Sequence, residues 1–286
     1  MSRFPTRAVL KAGDVAQHFS GTVWLSLLLP GAAHFRLGHP ARGALALLTC
    51  AGTFFLGYAF LGVHLWHMAL FQPFELIAPI LRYLPIQVLP ESLNMGPLVV
   101  AALLRPADSP DLTRLIQLPL DSVILEHAGL FLTGASGMLS AFWAADAHWL
   151  AQRQPAVGPA PAWCAFLSWL VPGSGHWLQG QRDKGVLVGG CVVAVFALGL
   201  FFSQGHGVDR LLHSAWWIGD VMFGGGTLFA TFATAPLRYS ESGIPPGYDV
   251  GLALCCVAGF MNLVVMIDAY TIAEERSLAV AEGSAA

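Results

Sequence analysis

Charge is what this sequence has least of. Only 11% of its 286 residues are Asp, Glu, Lys or Arg, against about a quarter in ordinary soluble domains, while 56% are hydrophobic and the mean hydropathy is +0.63. That poverty excludes a soluble globular protein. Uncharged runs at 43–63, 186–204, 221–237 and 250–267 each approach or exceed the roughly 18 residues that cross a bilayer. No stretch of soluble-domain size lies between them, so the chain is expected to be an all-α, polytopic helical membrane protein, with the lipid bilayer as its first partner.

Other absences narrow the function. The basic residues, nearly all Arg, are scattered singly and form no basic stripe, which excludes nucleic acid as a partner. The five cysteines (Cys50, Cys164, Cys191, Cys255, Cys256) have no CxxC spacing and no metal-spaced histidines beside them, so they read as small buried packing residues. There is no GxSxG, HExxH or P-loop, and the glycines of "GGGTLF" and "GSGH" follow no strand that would make them a phosphate cradle. The expectation is a protein that is not an enzyme and that holds no cofactor and no metal. His64 and His67 have i, i+3 spacing but no Cys, Asp or Glu at ligand spacing; beside Trp66 they read as an interfacial pair. His206 and His213 flank a polar loop.

What the sequence does have is a repeat. "LSLLLPGAAHFRLGHPARG" begins at Leu25 and "LSWLVPGSGHWLQGQRDKG" at Leu167, 142 residues on; aligning 24–43 with 166–185 gives eight identities in twenty without a gap. The chain is therefore read as two related halves: a first membrane half at 1–151, a Pro-rich linker at 152–161 ("QRQPAVGPAP"), a second half at 162–275 and a disordered tail at 276–286. Arg3, Arg7 and Lys11 before the apolar stretch ending in "GAA" imitate a signal peptide, but the internal twin marks the motif as part of the mature architecture. Each motif is followed by a long apolar helix, and each half closes on a helix with an aspartate near its end, Asp146 and Asp268. Between them a third element is clear in the second half at 212–235 and broken by prolines in the first, where only 96–104 resembles membrane core. The total is seven or eight membrane segments. Orientation stays open: if every segment spans, basic residues divide evenly and the positive-inside rule favours neither side, whereas re-entrant motif helices gather the basic turns on one side.

Pro30 and Pro172 each remove an N–H, freeing the carbonyls of Ser26 and Ser168, which in hydrocarbon must find another donor. The spacing of Gly31, His34 and Gly38, repeated in Gly173, His176 and Gly180, predicts one helical stripe with an imidazole between small residues, a packing notch with a polar pin. An ionisable group at membrane depth is also a functional candidate by default. His34 with Asp146, and His176 with Asp268, would form a pair in each half if the motif helices are re-entrant; full spanning would separate them. His34 and His176 are also the only symmetric candidates for axial haem ligands, and their place beside loops argues against it. Asp220, in "SAWWIGDVMFGGGTLF", is expected at a helix contact, hydrogen-bonded to a loosely wound turn at 224–226.

The pattern P-G-x-G-H-x-x-x-G, a basic residue, Gly and a long helix resembles the bacterial TM-two class of paired-helix membrane domains. The closing helix "MNLVVMIDAYTIA" extends the resemblance to an uncharacterised bacterial membrane family of unknown function. It is carried by Pro172, Gly173, Gly175, His176, Gly180, Gly185, Asn262, Asp268 and Tyr270, and in the first half by Pro30, Gly31, His34, Gly38, Gly43 and Asp146. Ala33 replaces the second glycine of the first copy, and His148 stands where Tyr270 stands. The resemblance implies a bacterial inner-membrane protein and no established activity. The leading expectation is a non-catalytic accessory or scaffold subunit bound to other membrane proteins. The alternative is a small transporter or channel using buried His and Asp, and an enzyme acting on lipid stands third.

Overall fold

The computed structural model of the chain describes residues 21–61, 89–104, 120–152, 158–210, 213, 215–234 and 246–284. Among these residues all regular structure is helical. In chain order the helices are α1 (21–28), α2 (Ala32–Arg36), α3 (Pro40–Leu61), α4 (Leu89–Ser92), α5 (Met95–Leu103), α6 (Leu120–Ala151), α7 (Pro161–Leu170), α8 (Ser174–Leu178), α9 (Arg182–Phe202), α10 (Trp217–Phe223), α11 (Gly225–Thr234) and α12 (Tyr248–Ser284). The expected seven or eight segments resolve, among the described residues, into four helices long and apolar enough to cross a membrane and several shorter ones. The four are Pro40–Leu61, Ile124–Ala151, Arg182–Phe202 and Tyr248–Ala279. Only 28% of the most apolar window of α3, and of α9, is buried, against 67% for α6 and 50% for α12. α6 and α12 therefore form the centre, and α3 and α9 present most of their surface outward.

The long helices pair through glycine. A Cβ on Gly57 of α3 would stand 2.8 Å from the carbonyl oxygen of Gly129 on α6, and one on Gly199 of α9 would stand 2.9 Å from that of Gly251 on α12. Without a hydrophobic force between helices in lipid, such small-residue contacts are what allow backbones to pack. The shorter helices fill the middle, where Phe131 and Met138 of α6, Trp169 of α7, Trp217 and Val221 of α10 and Met266 of α12 share one core.

The motif helices reverse direction. α7 starts at Pro161, whose fixed φ suits a first helical turn, and Cys164 in that turn packs on Ala269 and Ala273 of α12. At its far end Trp169 donates through Nε1 to the Val221 carbonyl at 2.8 Å. The chain turns at Pro172–Gly173, and α8 returns His176 to the level of Asp268, so the α7–α8 hairpin leaves by the end at which it entered.

Several expectations need correction. The motif glycines do not share a helical stripe: α2 and α8 are five residues long, and Gly31, Gly38, Gly173 and Gly180 lie outside them with φ of 83°, 81°, 83° and 78°. Spacing by three and four mimics a helix, but here the glycines supply the left-handed turns that bracket one. The third element of the second half is not one span over 212–235, because Gly224 (φ 65°, ψ −116°) breaks it into α10 and α11. The tail expected to be disordered continues α12 to Ser284. Its run of Ala, Glu and Leu favours helix, and Arg276 anchors it by donating to the Gln179 carbonyl at 2.6 Å. Four cysteines are buried as expected, but Cys191 is exposed, on the outward-facing α9. His64, His67 and half of the linker (153–157) lie outside the described residues.

Candidate functional site: two histidine–aspartate–cation clusters and a buried ion pair

Each motif positions its histidine by the same local construction. In the first copy the chain turns at Pro30, and Gly31 caps α2 in the left-handed region. A Cβ on Gly31 would lie 2.1 Å from the Gly43 carbonyl oxygen, and one on Gly173 would lie 2.1 Å from that of Gly185. Only glycine allows both the positive φ and this contact. The helix then closes on Gly38 as His39 N–H donates to the His34 carbonyl at 2.9 Å, matched by Gln181 N–H to the His176 carbonyl at 2.9 Å; both are Schellman closures. The motif serines lie buried beneath, and the Ser168 hydroxyl accepts from Gly175 N–H at 3.1 Å.

The histidines meet the aspartates. His34 Nε2 lies 3.1 Å from Asp146 Oδ2, and Arg42 Nη1, on the first turn of α3, lies 3.1 Å from the same oxygen. In the second half His176 Nε2 lies 2.7 Å from Asp268 Oδ2, and Lys184 Nζ lies 2.5 Å from it. Each carboxylate joins three elements: the short motif helix, the next long helix and the closing helix. Both imidazoles are fully enclosed (0% side-chain exposure), whereas the cations reach outward (47% for Arg42, 41% for Lys184). Facing a carboxylate, Nε2 carries the proton and donates. Nδ1 of each ring is enclosed and meets no hydrogen-bond partner among the described residues. Trp143 packs edge-on against His34, with ring centroids 5.5 Å apart.

A second polar centre went unseen in the sequence. Glu91 on α4 and Arg210, after α9, are both buried, and Nη2 of the guanidinium donates to Glu91 Oε2 at 2.8 Å. Nη1 lies 2.7 Å from Oε1 and directs its two N–H groups to the Leu130 carbonyl at 2.6 Å and the Thr133 hydroxyl at 3.4 Å, so that second contact is an ion pair. The guanidinium carbon also sits 4.2 Å above the Trp217 ring. This pair ties α4 to the α9–α10 connection and to α6.

Asp220 occupies the corresponding seat in the second half. A Cβ on Gly137 of α6 would fall 1.7 Å from the Pro90 carbonyl oxygen, and one on Gly259 of α12 would fall 1.7 Å from that of Gly219. The next residue is Glu91 in one case and Asp220 in the other, and each lies five residues before a glycine packed on a motif-helix carbonyl: Gly96 on Leu28, Gly225 on Leu170. This regularity, an acid five residues ahead of a glycine, is the signal that would have revealed Glu91. The expected bond from Asp220 to the glycine turn does not form; both of its carboxylate oxygens are buried without a partner among the described residues. The carbonyls freed by the break are instead satisfied by side chains. Thr227 Oγ1 donates to the Asp220 carbonyl at 2.5 Å, Trp169 Nε1 to that of Val221 at 2.8 Å and Asn262 Nδ2 to that of Met222 at 2.9 Å.

At the end of the molecule opposite the clusters, His213 faces the Tyr248 hydroxyl through Nε2, and the His206 ring packs edge-on against the same tyrosine. Burial holds the His213 imidazole below its ordinary 6.5, while Asp209 and Asp249 pull the other way.

Long apolar helices crossing at glycines, with their ionisable groups gathered into enclosed clusters, define a helical membrane protein. By sequence the chain belongs to a family of unknown function (DUF6677), which matches residues 22–157 and 163–279. No curated protein and no solved structure matches it.

Proposed function

We propose that this protein is a non-catalytic accessory or scaffold subunit of a larger membrane assembly in the inner membrane of a bacterium, built from two related halves. The observation that carries the reading is the fate of its two buried histidines. Each is fully enclosed and held by a carboxylate that a neighbouring cation also neutralises, which is how a clamp is built rather than a site open to a substrate. The outward faces of α3 and α9, with Leu48, Leu56, Leu187 and Phe201 exposed, are left to lipid and to partner helices. The recurrence of the left-handed cap, the cluster and the glycine crossings supports duplication.

The same geometry supports an orientation. Of the described Lys and Arg residues, Arg36, Arg42, Arg182, Lys184 and Arg276 lie at the cluster end, and Arg210 is consumed in its buried pair. With motif hairpins that re-enter, the positive-inside rule puts the clusters on the cytoplasmic side. Extraction in mild detergent is expected to bring down a stoichiometric membrane partner, and a monodisperse monomer without one would sink the scaffold reading.

One observation favours transport instead. Asp220 is a buried, unpartnered carboxyl beside a broken helix, the kind of place where transporters bind ions. That reading predicts that Asp220→Asn abolishes a flux while abundance and partner recovery stay normal. Loss of abundance or of the complex in His34→Ala or His176→Ala, with no flux to lose, supports the scaffold.

A further inference from the structure

A cavity of about 500 Å³ opens between α3, α6 and α7, next to the first-half cluster. Its volume lies within the range of roughly 300–1,000 Å³ common to small-molecule sites. Its lining joins a charged pair to a set of apolar and aromatic side chains. Arg42 and Asp146 line the cavity together with the apolar side chains of Leu45, Leu139, Phe142, Trp163 and Phe166. Thr49, about 10 Å further along α3 than Arg42, also lines it and receives the Trp143 indole N–H at 2.9 Å. Leu45 and Trp163, both lining the cavity, are about half exposed, so the cavity is open at the outward surface between α3 and α7.

We infer that this cavity holds one phospholipid of the surrounding leaflet, its phosphate on the Arg42 guanidinium and one acyl chain between the aromatic walls. Arg42 gives only Nη1 to Asp146, which leaves Nε and Nη2 to meet a phosphate in the forked geometry that guanidinium favours. The apolar side chains of the lining match a hydrocarbon chain. A free anion would leave those walls in contact with water, and a purely apolar guest would leave the exposed guanidinium unused. The inference concerns the isolated chain and needs no protein partner, so it stands or falls separately from the scaffold reading.

Native mass spectrometry of the full-length protein, delipidated in detergent and titrated with a phosphatidylglycerol, tests it, with a diacylglycerol of the same chains as comparison. One tightly held phosphatidylglycerol per chain is expected, with at least tenfold weaker binding in Arg42→Gln. Leu45→Trp, which fills the cavity without touching the cluster, is expected to weaken it as much and decides the matter if Arg42→Gln fails to fold. Lys184→Gln, the equivalent cation of the second half, should bind as the unaltered protein does. Equal retention of diacylglycerol, undiminished binding in Leu45→Trp, or equal loss in Lys184→Gln would each overturn the assignment.

Discussion

Replacing Arg210 by methionine should be among the most damaging single substitutions in this protein, and the size of the effect follows from its surroundings. Arg210 is 1% exposed and Glu91 0%, so neither charge can turn to water once its partner is gone, and no discount for solvent screening applies. The substitution leaves a carboxylate buried alone, takes a donor from the Leu130 carbonyl and removes a cation from above the Trp217 ring. Breaking a buried pair by removing one partner costs about 3–5 kcal/mol, and methionine recovers only the packing of the arginine stem. Glu91→Leu strands the guanidinium in the same way and should cost about as much. The double variant removes both charges at once; since buried pairs replaced by apolar groups are often neutral, it should lie within about 1–2 kcal/mol of the unaltered protein. Unfolding in detergent micelles, read as a double-mutant cycle, measures all three. Single variants that each cost under about 1 kcal/mol, or a double variant that costs their sum, would refute the argument.

Gly137→Ala and Gly259→Ala should each destabilise by at least the 1–3 kcal/mol typical of overpacking, because their methyl groups would fall 1.7 Å from backbone carbonyl oxygens; Gly190→Ala, with nothing within 4 Å, should be neutral or stabilising. Thermal melts of the three decide, and a harmless Gly259→Ala would count against the close crossing. His34→Ala removes a fully enclosed ring and should cost about 2–4 kcal/mol through the cavity and the lost bond. Asp268→Asn, whose side chain and cation are both 41% exposed, should cost no more than about 1 kcal/mol, so equal losses in the same melts would contradict the burial argument. The pH dependence follows from His213, whose folded value is depressed by burial. The unfolded state then binds the proton more readily, so the stability His213 contributes is complete above its ordinary 6.5 and is lost as pH falls through the folded value. The melting temperature should drop on acidification, and His213→Gln should flatten part of that drop; a slope that the substitution leaves untouched would remove His213 as its source.

The sequence made the membrane class and the long helices legible and singled out the histidines and aspartates whose pairing it left open, because apolar length and a recurring motif survive without any knowledge of packing. The local shape of the motif did not survive. A spacing of three and four between Gly31, His34 and Gly38 is helical in period, and period carries no information about the sign of φ; the left-handed caps emerge only when the Gly43 carbonyl is seen 2.1 Å from where a side chain would begin. The break at Gly224 was hidden for a related reason. The run from 221 to 237 is apolar enough to span, and what allows it to stop is a set of donors from Thr227, Trp169 and Asn262, which lie near in space and, for the last two, far in sequence. Glu91 was hidden by its prolines, which drew the eye to a broken segment and away from its one acid.

Glu91 and Asp220 together carry the strongest tension in the molecule. They occupy matching seats, one residue beyond a carbonyl pressed against a glycine of the central helix, and an unpaired acid at membrane depth is costly. Arg210 compensates the first, and no described group compensates the second. On the proposed duplication, a structural ion pair would be expected to be kept in both halves or discarded in both, by trading the acid for an apolar residue. Keeping the acid without the cation means that the seat itself has a use in the second half that the ion pair does not explain. The scaffold reading accounts for the clamps at the cluster end and for the Glu91–Arg210 latch, and it gives no role to Asp220, whose carboxylate oxygens meet no partner among the described residues. Any activity beyond assembly is therefore best sought at Asp220, and not at the histidines that first stand out in the sequence.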